Sequence, residues 1–178
     1  MDTHLESVSS LGNSVAKTDF EAVYQVEMPR VYNFFRYHIG DDQIAEDLTA
    51  ETFEKAWRNR ARYRKNLASF STWLFTIARR VATDHFRKQQ LTIQLEDAEK
   101  VSDPETLEDV AQERAEFAYL SKLLTRLAER ERELVALKYG AGLTNRTIAH
   151  ITGLSESNVS TILHRLTQQL RVQWEYGP

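Results

Sequence analysis

The sequence predicts an all-α protein of two small helical domains joined by an acidic linker. Only 6 Gly and 3 Pro occur among 178 residues, so long stretches lack the residues that break helices. Apolar residues recur at helical spacing, as at Leu74, Ile77, Ala78 and Val81. The predicted organisation is a disordered tail over residues 1–18, a first unit over 19–90, an acidic linker over 91–111 and a second unit over 112–178.

Turn and capping residues divide the first unit into helices. Pro29 should interrupt or restart the first helix, because proline lacks the amide hydrogen that a helix interior needs. Gly40, Asp41 and Asp42 together combine a stop signal with an N-cap signal for the next helix, predicted at about 43–57. Ser71 is the candidate cap for the last helix of the unit.

Charge is distributed unevenly along the chain. The net charge is −3, but residues 94–116 hold nine acidic residues against two basic ones. Ten lysine or arginine residues lie between Lys55 and Lys88. The near-neutral total therefore hides a basic segment, which is compatible with nucleic-acid binding.

Residues 142–163 have the pattern of a DNA-binding helix-turn-helix. Thr144 and Ser155 can cap its two helices, Ala149 is small where the helices approach, and Gly153 suits the turn. The second helix would expose short polar side chains to base edges. A plain helical hairpin with a polar face is the alternative.

Residues 55–88 alternate cations with aromatic rings. Cations follow the phosphates of single-stranded DNA, and rings receive unstacked bases. Alternatively, Trp57, Trp73 and Phe75 are core residues, and the arginines form a solvated face.

The composition argues against several other classes of protein. There is no Cys, which fits a reducing cytoplasm and excludes thiolate metal sites. No signal peptide or membrane span is visible, so we expect a cytoplasmic protein without membrane insertion. The five His show no metal spacing, and no phosphate-binding glycine loop or nucleophile motif appears. The sequence therefore predicts neither a cofactor nor an enzyme.

Three motifs in order resemble those of bacterial RNA polymerase sigma factors of the extracytoplasmic-function group. They are residues 45–57 (AEDLTAETFEKAW), residues 71–88 (STWLFTIARRVATDHFRK) and the helix-turn-helix, which residues 127–134 (LAEREREL) precede. The resemblance covers roughly residues 19–90 and 112–172. It implies region 2 in the first unit and region 4 in the second, together with an alternative sigma factor's function in promoter recognition and DNA melting.

The resemblance also implies partners and the residues that bind them. The partners would be core RNA polymerase, through its β′ clamp and β flap, promoter DNA, and an anti-sigma factor. The expected polymerase-binding residues are Asp47, Leu48, Glu51 and Glu54. The chain has Ala50 where the family commonly has Gln.

Two sets of DNA-binding residues are implied. Those for the minus-10 element are Arg58, Arg62, Tyr63, Arg64, Lys65, Trp73, Arg79, Arg80, Asp84 and Arg87. Those for the minus-35 element are Arg146, Ser155, Ser157, Asn158, Ser160, Thr161, His164 and Arg165. Arg80, Ser160 and Ile162 depart from common family choices, so this chain's preferred promoter should not be inferred from its relatives. Ser160 and Ile162 stand where the family often has Lys and Arg, so we expect fewer phosphate contacts from that helix.

A stand-alone helix-turn-helix regulator is the alternative function. Its N-terminal unit would sense a signal or dimerise. This interpretation explains the second unit but assigns no function to the basic, aromatic segment at residues 55–88.

Overall fold

The computed structural model describes residues 5–93 and 108–176, and all regular structure within these ranges is helical. The α-helices are α1 (Leu5–Ile39), α2 (Asp42–Asn59), α3 (Phe70–Ile93), α4 (Glu108–Thr125), α5 (Glu129–Val135), α6 (Asn145–Thr152) and α7 (Glu156–Glu175). A 3₁₀ turn, Arg60–Arg62, follows α2, and a π-helical turn, Ala136–Gly140, continues α5. The predicted all-α class is confirmed. The central part of the predicted linker, residues 94–107, lies outside the described residues.

Helix α1 is longer than the sequence predicts. It begins at Leu5, within the predicted disordered tail. Residues 5–28 contain no proline and a single glycine, so they lack strong helix breakers. The helix also continues through Pro29, and the predicted interruption there is wrong. Proline removes one backbone hydrogen bond, but the buried side chains of Val31 and Phe34 anchor the turn that follows.

The turn between α1 and α2 has the predicted chemistry. Gly40 adopts a φ of +84°, a left-handed conformation that glycine tolerates better than other residues. The Asp41 carboxylate accepts a hydrogen bond from the backbone N–H of Ile44 at 2.8 Å. Asp41 therefore caps α2 as predicted and fixes where this helix begins.

The N-cap of α3 lies two residues before the predicted one. The hydroxyl of Ser69 accepts a hydrogen bond from the backbone N–H of Thr72 at 3.2 Å, so the assignment of Ser71 as the cap is wrong. Phe70 is already helical, which places Ser71 inside the first turn. There its hydroxyl accepts a hydrogen bond from the Arg30 guanidinium at 3.2 Å.

The two helical units share one hydrophobic core. Phe34 of the first unit and Leu137 of the second are fully buried members of one continuous cluster. Gly140 packs closely on α1, because a Cβ at this position would lie 2.7 Å from the backbone oxygen of Asn33. The sequence predicts the two units but not this contact between them.

Arg30 adds polar contacts to the same interface. Its Nε donates a hydrogen bond to the carbonyl of Ala141 at 2.9 Å, and its Nη1 pairs with the Glu27 carboxylate at 2.8 Å. Glu27 is buried, and a buried charge is tolerated only when it is paired. Because hydrogen bonds are directional, these contacts favour one orientation of the second unit on α1.

Acid should destabilise the folded protein through His38, which is buried at the end of α1. Burial lowers its pKa from 6.5 to about 3; Arg132, Arg79 and His85 act in the same direction, and a backbone contact at Glu129 opposes them. The unfolded chain therefore binds a proton that the folded chain rejects. The free energy of unfolding should fall by up to about 1.4 kcal/mol per pH unit as pH drops from about 6.5 toward 3.

Urea unfolding at about pH 7.5 and pH 5 measures this effect. The control is His38→Leu, which replaces the imidazole with an apolar side chain of similar bulk and so removes the titrating group. The wild type should lose more stability between the two pH values than the variant does. Equal losses in both proteins would show that His38 does not carry the acid sensitivity.

Candidate nucleic-acid and protein interfaces

One side of α2 presents three carboxylates. Asp47, Glu51 and Glu54 follow helical spacing along the surface; Asp47 and Glu54 are exposed and Glu51 is half-buried. Glu51 also pairs with Lys55 at 2.7 Å. Leu48, predicted to belong to the same surface, is buried in the core. It therefore supports the helix from inside and is not available to a partner.

Three aromatic rings organise the loop between α2 and α3. The rings of Tyr63, Phe70 and Trp73 have centroids 5.3 to 5.5 Å apart. The Tyr63 hydroxyl also donates a hydrogen bond to the carbonyl of Ala68 at 3.2 Å. Tyr63 and Trp73 are half-buried, so these rings hold the loop while part of each remains accessible.

Cations surround this aromatic cluster. Arg62, Arg64 and Lys65 are exposed on the 3₁₀ turn and the loop. Arg58 is exposed near the end of α2 and pairs with Glu54 at 2.6 Å. Basic side chains beside accessible rings form the type of surface that binds single-stranded nucleic acid.

The predicted DNA-binding residues of α3 have different environments. Arg80 is exposed, and Arg87 pairs with Asp84 at 3.1 Å. Arg79 turns toward the second unit, where its Nε lies 2.6 Å from a Glu133 carboxylate oxygen. The structure therefore separates Arg79 from the exposed cations of its own unit.

The helix-turn-helix has the predicted caps and turn. The Thr144 hydroxyl accepts a hydrogen bond from the backbone N–H of Thr147 at 3.1 Å. The Ser155 hydroxyl accepts one from the backbone N–H of Asn158 at 3.2 Å. Gly153 adopts a φ of +75° between the two helices. These local interactions fix the direction of α7 relative to α6.

Helix α7 buries one face and exposes a polar one. Val159, Leu163 and Leu166 are buried. The predicted DNA-binding side chains that are exposed on α7 are Ser157, Asn158, Ser160, Thr161, His164 and Arg165. Their amide, hydroxyl, imidazole and guanidinium groups can all form hydrogen bonds with DNA.

Ion pairs flank this polar face. Arg165 pairs with Glu131 of α5. Arg146, exposed on α6, lies 3.5 Å from the Glu156 carboxylate at the start of α7. Arg146 and Ser155 therefore lie beside the N-terminus of α7, where backbone N–H groups can also face a phosphate.

Sequence reasoning missed the acidic residues that hold two of the predicted DNA-binding arginines. Glu131 and Glu133 lie on α5, and their partners are Arg165 and Arg79. Both acids fall within the motif at residues 127–134, but the sequence separates them from their partners by 34 and 54 residues. Alternating charges on a short helix were the only local signal.

Two family models match the chain in the order of its two units. The model of sigma-70 region 2 matches residues 23–92, which contain the α2 carboxylates and the aromatic loop. The model of sigma-70 region 4 matches residues 117–170, which contain the helix-turn-helix.

Two curated relatives are similar to this chain over most of its length. The extracytoplasmic-function sigma factor BldN of Streptomyces coelicolor is 30% identical over 154 residues, covering 85% of this chain and 58% of BldN. The chain thus spans less than two thirds of BldN. The corresponding factor SigM of Bacillus subtilis is 29% identical, with coverage of 88% of this chain and 96% of SigM.

Solved structures have the same fold. The sigma factor RpoE of Bartonella quintana, in complex with the anti-sigma factor NepR, matches with a TM-score of 0.72 and 22% identity over 90% of this chain and 99% of that one. CnrH, in complex with the cytosolic domain of CnrY, matches with a TM-score of 0.65 and 20% identity over 97% and 96% of the two chains.

Proposed function

Since the chain belongs to the sigma-70 family, within its extracytoplasmic-function group, we propose that it is an alternative sigma factor. It binds core RNA polymerase, recognises promoters and opens the DNA for initiation. The observation that carries this proposal is the order of three surfaces: an acidic helix face, a basic loop built on aromatic rings, and a capped helix-turn-helix. A protein that only binds duplex DNA needs the third alone.

The acidic face of α2 is proposed to bind the β′ clamp of core polymerase. Asp47 and Glu51 provide exposed or half-exposed carboxylates on one side of the helix, and Glu54 extends the surface. Such a face suits a partner helix rich in arginine, because each carboxylate can accept a charge-assisted hydrogen bond. Region 4 would contact the β flap.

The two DNA surfaces are assigned to the two promoter elements. The loop and α3 would hold the unstacked minus-10 strand, with Arg62, Arg64 and Lys65 on its phosphates and Trp73 beside a base. Helix α7 would enter the major groove at the minus-35 element. Residues 19–90 and 112–178 would then act as separate DNA-binding units tethered by residues 91–111.

An anti-sigma factor is the proposed regulatory partner. RpoE and CnrH are similar in fold to this chain, and RpoE is seen in complex with the anti-sigma factor NepR. Core polymerase and promoter DNA act in the cytoplasm, so this chain is proposed to act there, without catalytic chemistry of its own.

Run-off transcription with purified core polymerase and a promoter library tests the proposed function. The expected result is initiation at a defined subset of promoters that requires both core polymerase and this chain. Absence of core-dependent initiation at every promoter would overturn the proposal.

The same preparation tests the alternative, a stand-alone helix-turn-helix regulator. Such a regulator binds duplex DNA tightly without polymerase, whereas a sigma factor should bind its promoter specifically only within the polymerase complex. Tight, specific binding by the isolated chain would favour the regulator.

Replacing Asn158 with Ala should change recognition of the upstream element alone. The Asn158 side chain is exposed in the first turn of α7, where side chains of a recognition helix reach base edges. Losing one such contact should weaken promoter binding by about 5- to 150-fold, because a good base contact contributes about 1–3 kcal/mol. Binding of the polymerase complex to promoters altered at single upstream bases measures the change.

The control for this variant is Gln168→Ala, which changes an exposed amide on a later turn of the same helix. It should leave promoter binding unchanged. Equal base preference in wild type and Asn158→Ala would remove Asn158 from the reading surface.

A further inference from the structure

The polar face of α7 carries an ion pair that joins it to α5 within the second unit. The Nη2 of Arg165 donates a hydrogen bond to a carboxylate oxygen of Glu131. The side chain of Arg165 is 64% exposed, whereas that of Glu131 is 29% exposed. Glu131 is thus the more enclosed partner, and it holds one edge of a guanidinium group whose remainder faces solvent.

This ion pair lies beside the residue proposed to read the upstream element. Arg165, Glu131, Asn158 and Ile162 line the same open pocket on the surface of the second unit. Asn158 and Arg165 are about two turns apart along the same side of α7. Ile162 lies between them, and its apolar side chain offers no group that could compete with a base for the guanidinium. The pair therefore belongs to the surface that would face the DNA bases.

Arginine is the side chain best suited to a guanine in the major groove. Its planar fork can donate to O6 and N7 of the base at the same time. A long side chain loses conformational entropy when it adopts that geometry, and a partner that already holds it reduces this cost on binding. Glu131 engages Nη2, and the other N–H groups of the fork can still donate to a base.

Glu131 also changes what Arg165 can bind. An unpaired arginine attracts every nearby phosphate and so adds affinity for DNA of any sequence. Contacts with phosphates carry no sequence information. The Glu131 carboxylate offsets the charge of Arg165 and repels phosphates, so the ion pair favours a base edge over the DNA backbone.

We propose, on the basis of the sigma-factor function proposed above, that Glu131 is a positioning residue that makes Arg165 read a guanine in the upstream promoter element. Arg165 donates to O6 and N7 of this guanine. Glu131 holds the guanidinium in the required orientation and keeps it from the neighbouring phosphates. The upstream element preferred by this chain therefore contains a guanine opposite Arg165, near the bases that Asn158 reads.

A modified base tests this contact in the complete polymerase complex. The probe is a promoter found by the run-off screen, in which each upstream guanine is replaced in turn by 7-deazaguanine. This base still pairs with cytosine but has a C–H group where guanine has the N7 acceptor. At one position, the wild type should bind about two- to tenfold more weakly, because one of the two hydrogen bonds to the guanine is lost.

Two variants separate the roles of the partners. Arg165→Lys keeps the positive charge but lacks the planar fork, so its binding should not respond to 7-deazaguanine. Glu131→Gln keeps the shape of the side chain and removes its charge, so it should lose most of the response. Its binding to promoters with a scrambled upstream element should strengthen. The slope of log affinity against log salt should steepen by about 0.9, as expected for one added phosphate contact.

The matched control is Glu129→Gln, which removes the charge of an exposed residue on the same helix. It should match the wild type in affinity, in the response to 7-deazaguanine and in salt dependence. Circular dichroism should show equal helix content in the wild type and all three variants.

An ion pair that only stabilises the second unit would give a different result. In that case, Glu131→Gln would weaken binding to every upstream sequence equally and would keep the full response to 7-deazaguanine, which would overturn the proposal. A preferred upstream element without guanine, or a wild type that responds at no guanine, would also overturn it. Failure of the proposed function is recognised separately, because the wild type would then direct no core-dependent initiation, and both proposals would fall.

Discussion

Replacing both Asp47 and Glu51 with Ala is expected to weaken binding of core RNA polymerase by at least about 100-fold while the helices remain folded. The two carboxylates lie one turn apart on α2, and Asp47 is exposed. Each can accept a charge-assisted hydrogen bond, and a hydrogen bond to a charged group contributes about 1.5–3 kcal/mol. Alanine favours the helix, so the loss should fall on binding rather than on folding.

Asp47 should carry more of this loss than Glu51. Glu51 already pairs with Lys55 at 2.7 Å, and this pair must rearrange before Glu51 meets polymerase. The matched control is Glu46→Ala, which removes the exposed carboxylate next to Asp47 but about 100° away around the helix. Fluorescence anisotropy of labelled chain titrated with core polymerase measures each affinity. Equal affinities for Asp47→Ala, Glu46→Ala and wild type would place the polymerase surface elsewhere.

Replacing Phe34 with Ala should lower the free energy of unfolding by about 3–5 kcal/mol. Phe34 is fully buried, with its ring 5.1 Å from that of Phe35 and 6.0 Å from that of Phe75. Its backbone also lies against the π-helical turn of the second unit, near Gly140. The variant should therefore leave a cavity at the centre of the shared core and weaken both units together.

Chemical unfolding followed by far-ultraviolet circular dichroism measures this loss. The control is Leu67→Ala, because Leu67 is 75% exposed and its truncation should change stability by less than about 0.5 kcal/mol. A loss below about 1 kcal/mol for Phe34→Ala would mean that the packing around this ring relaxes to fill the space.

Local chemistry was the part of the fold that the sequence predicted well. Asp41, Thr144 and Ser155 each accept a backbone hydrogen bond within three residues of their own position. Gly153 provides the positive φ that the turn requires, and the sequence alone predicts this role. These features depend on neighbours in the chain, and a residue pattern is enough to identify them.

Features that depend on distant residues were missed. The family resemblance places Leu48 among the polymerase-binding residues, but the packing of α2 buries it. The local rule that proline interrupts a helix fails at Pro29, because tertiary packing holds the helix through this residue. The partner of Arg79 lies 54 residues away, and nothing in the local pattern of either residue indicates the pair. The way in which the two units pack together could be seen only in the three-dimensional structure.

The shared core has a consequence for the newly made chain. At about 5–20 residues per second, the ribosome needs about 5–20 s to add the hundred residues that separate the end of α1 from the turn that covers it. During that interval, the phenylalanine-rich face of α1 has no cover from the second unit. A nascent chain in this state offers chaperones a binding surface that the finished protein conceals.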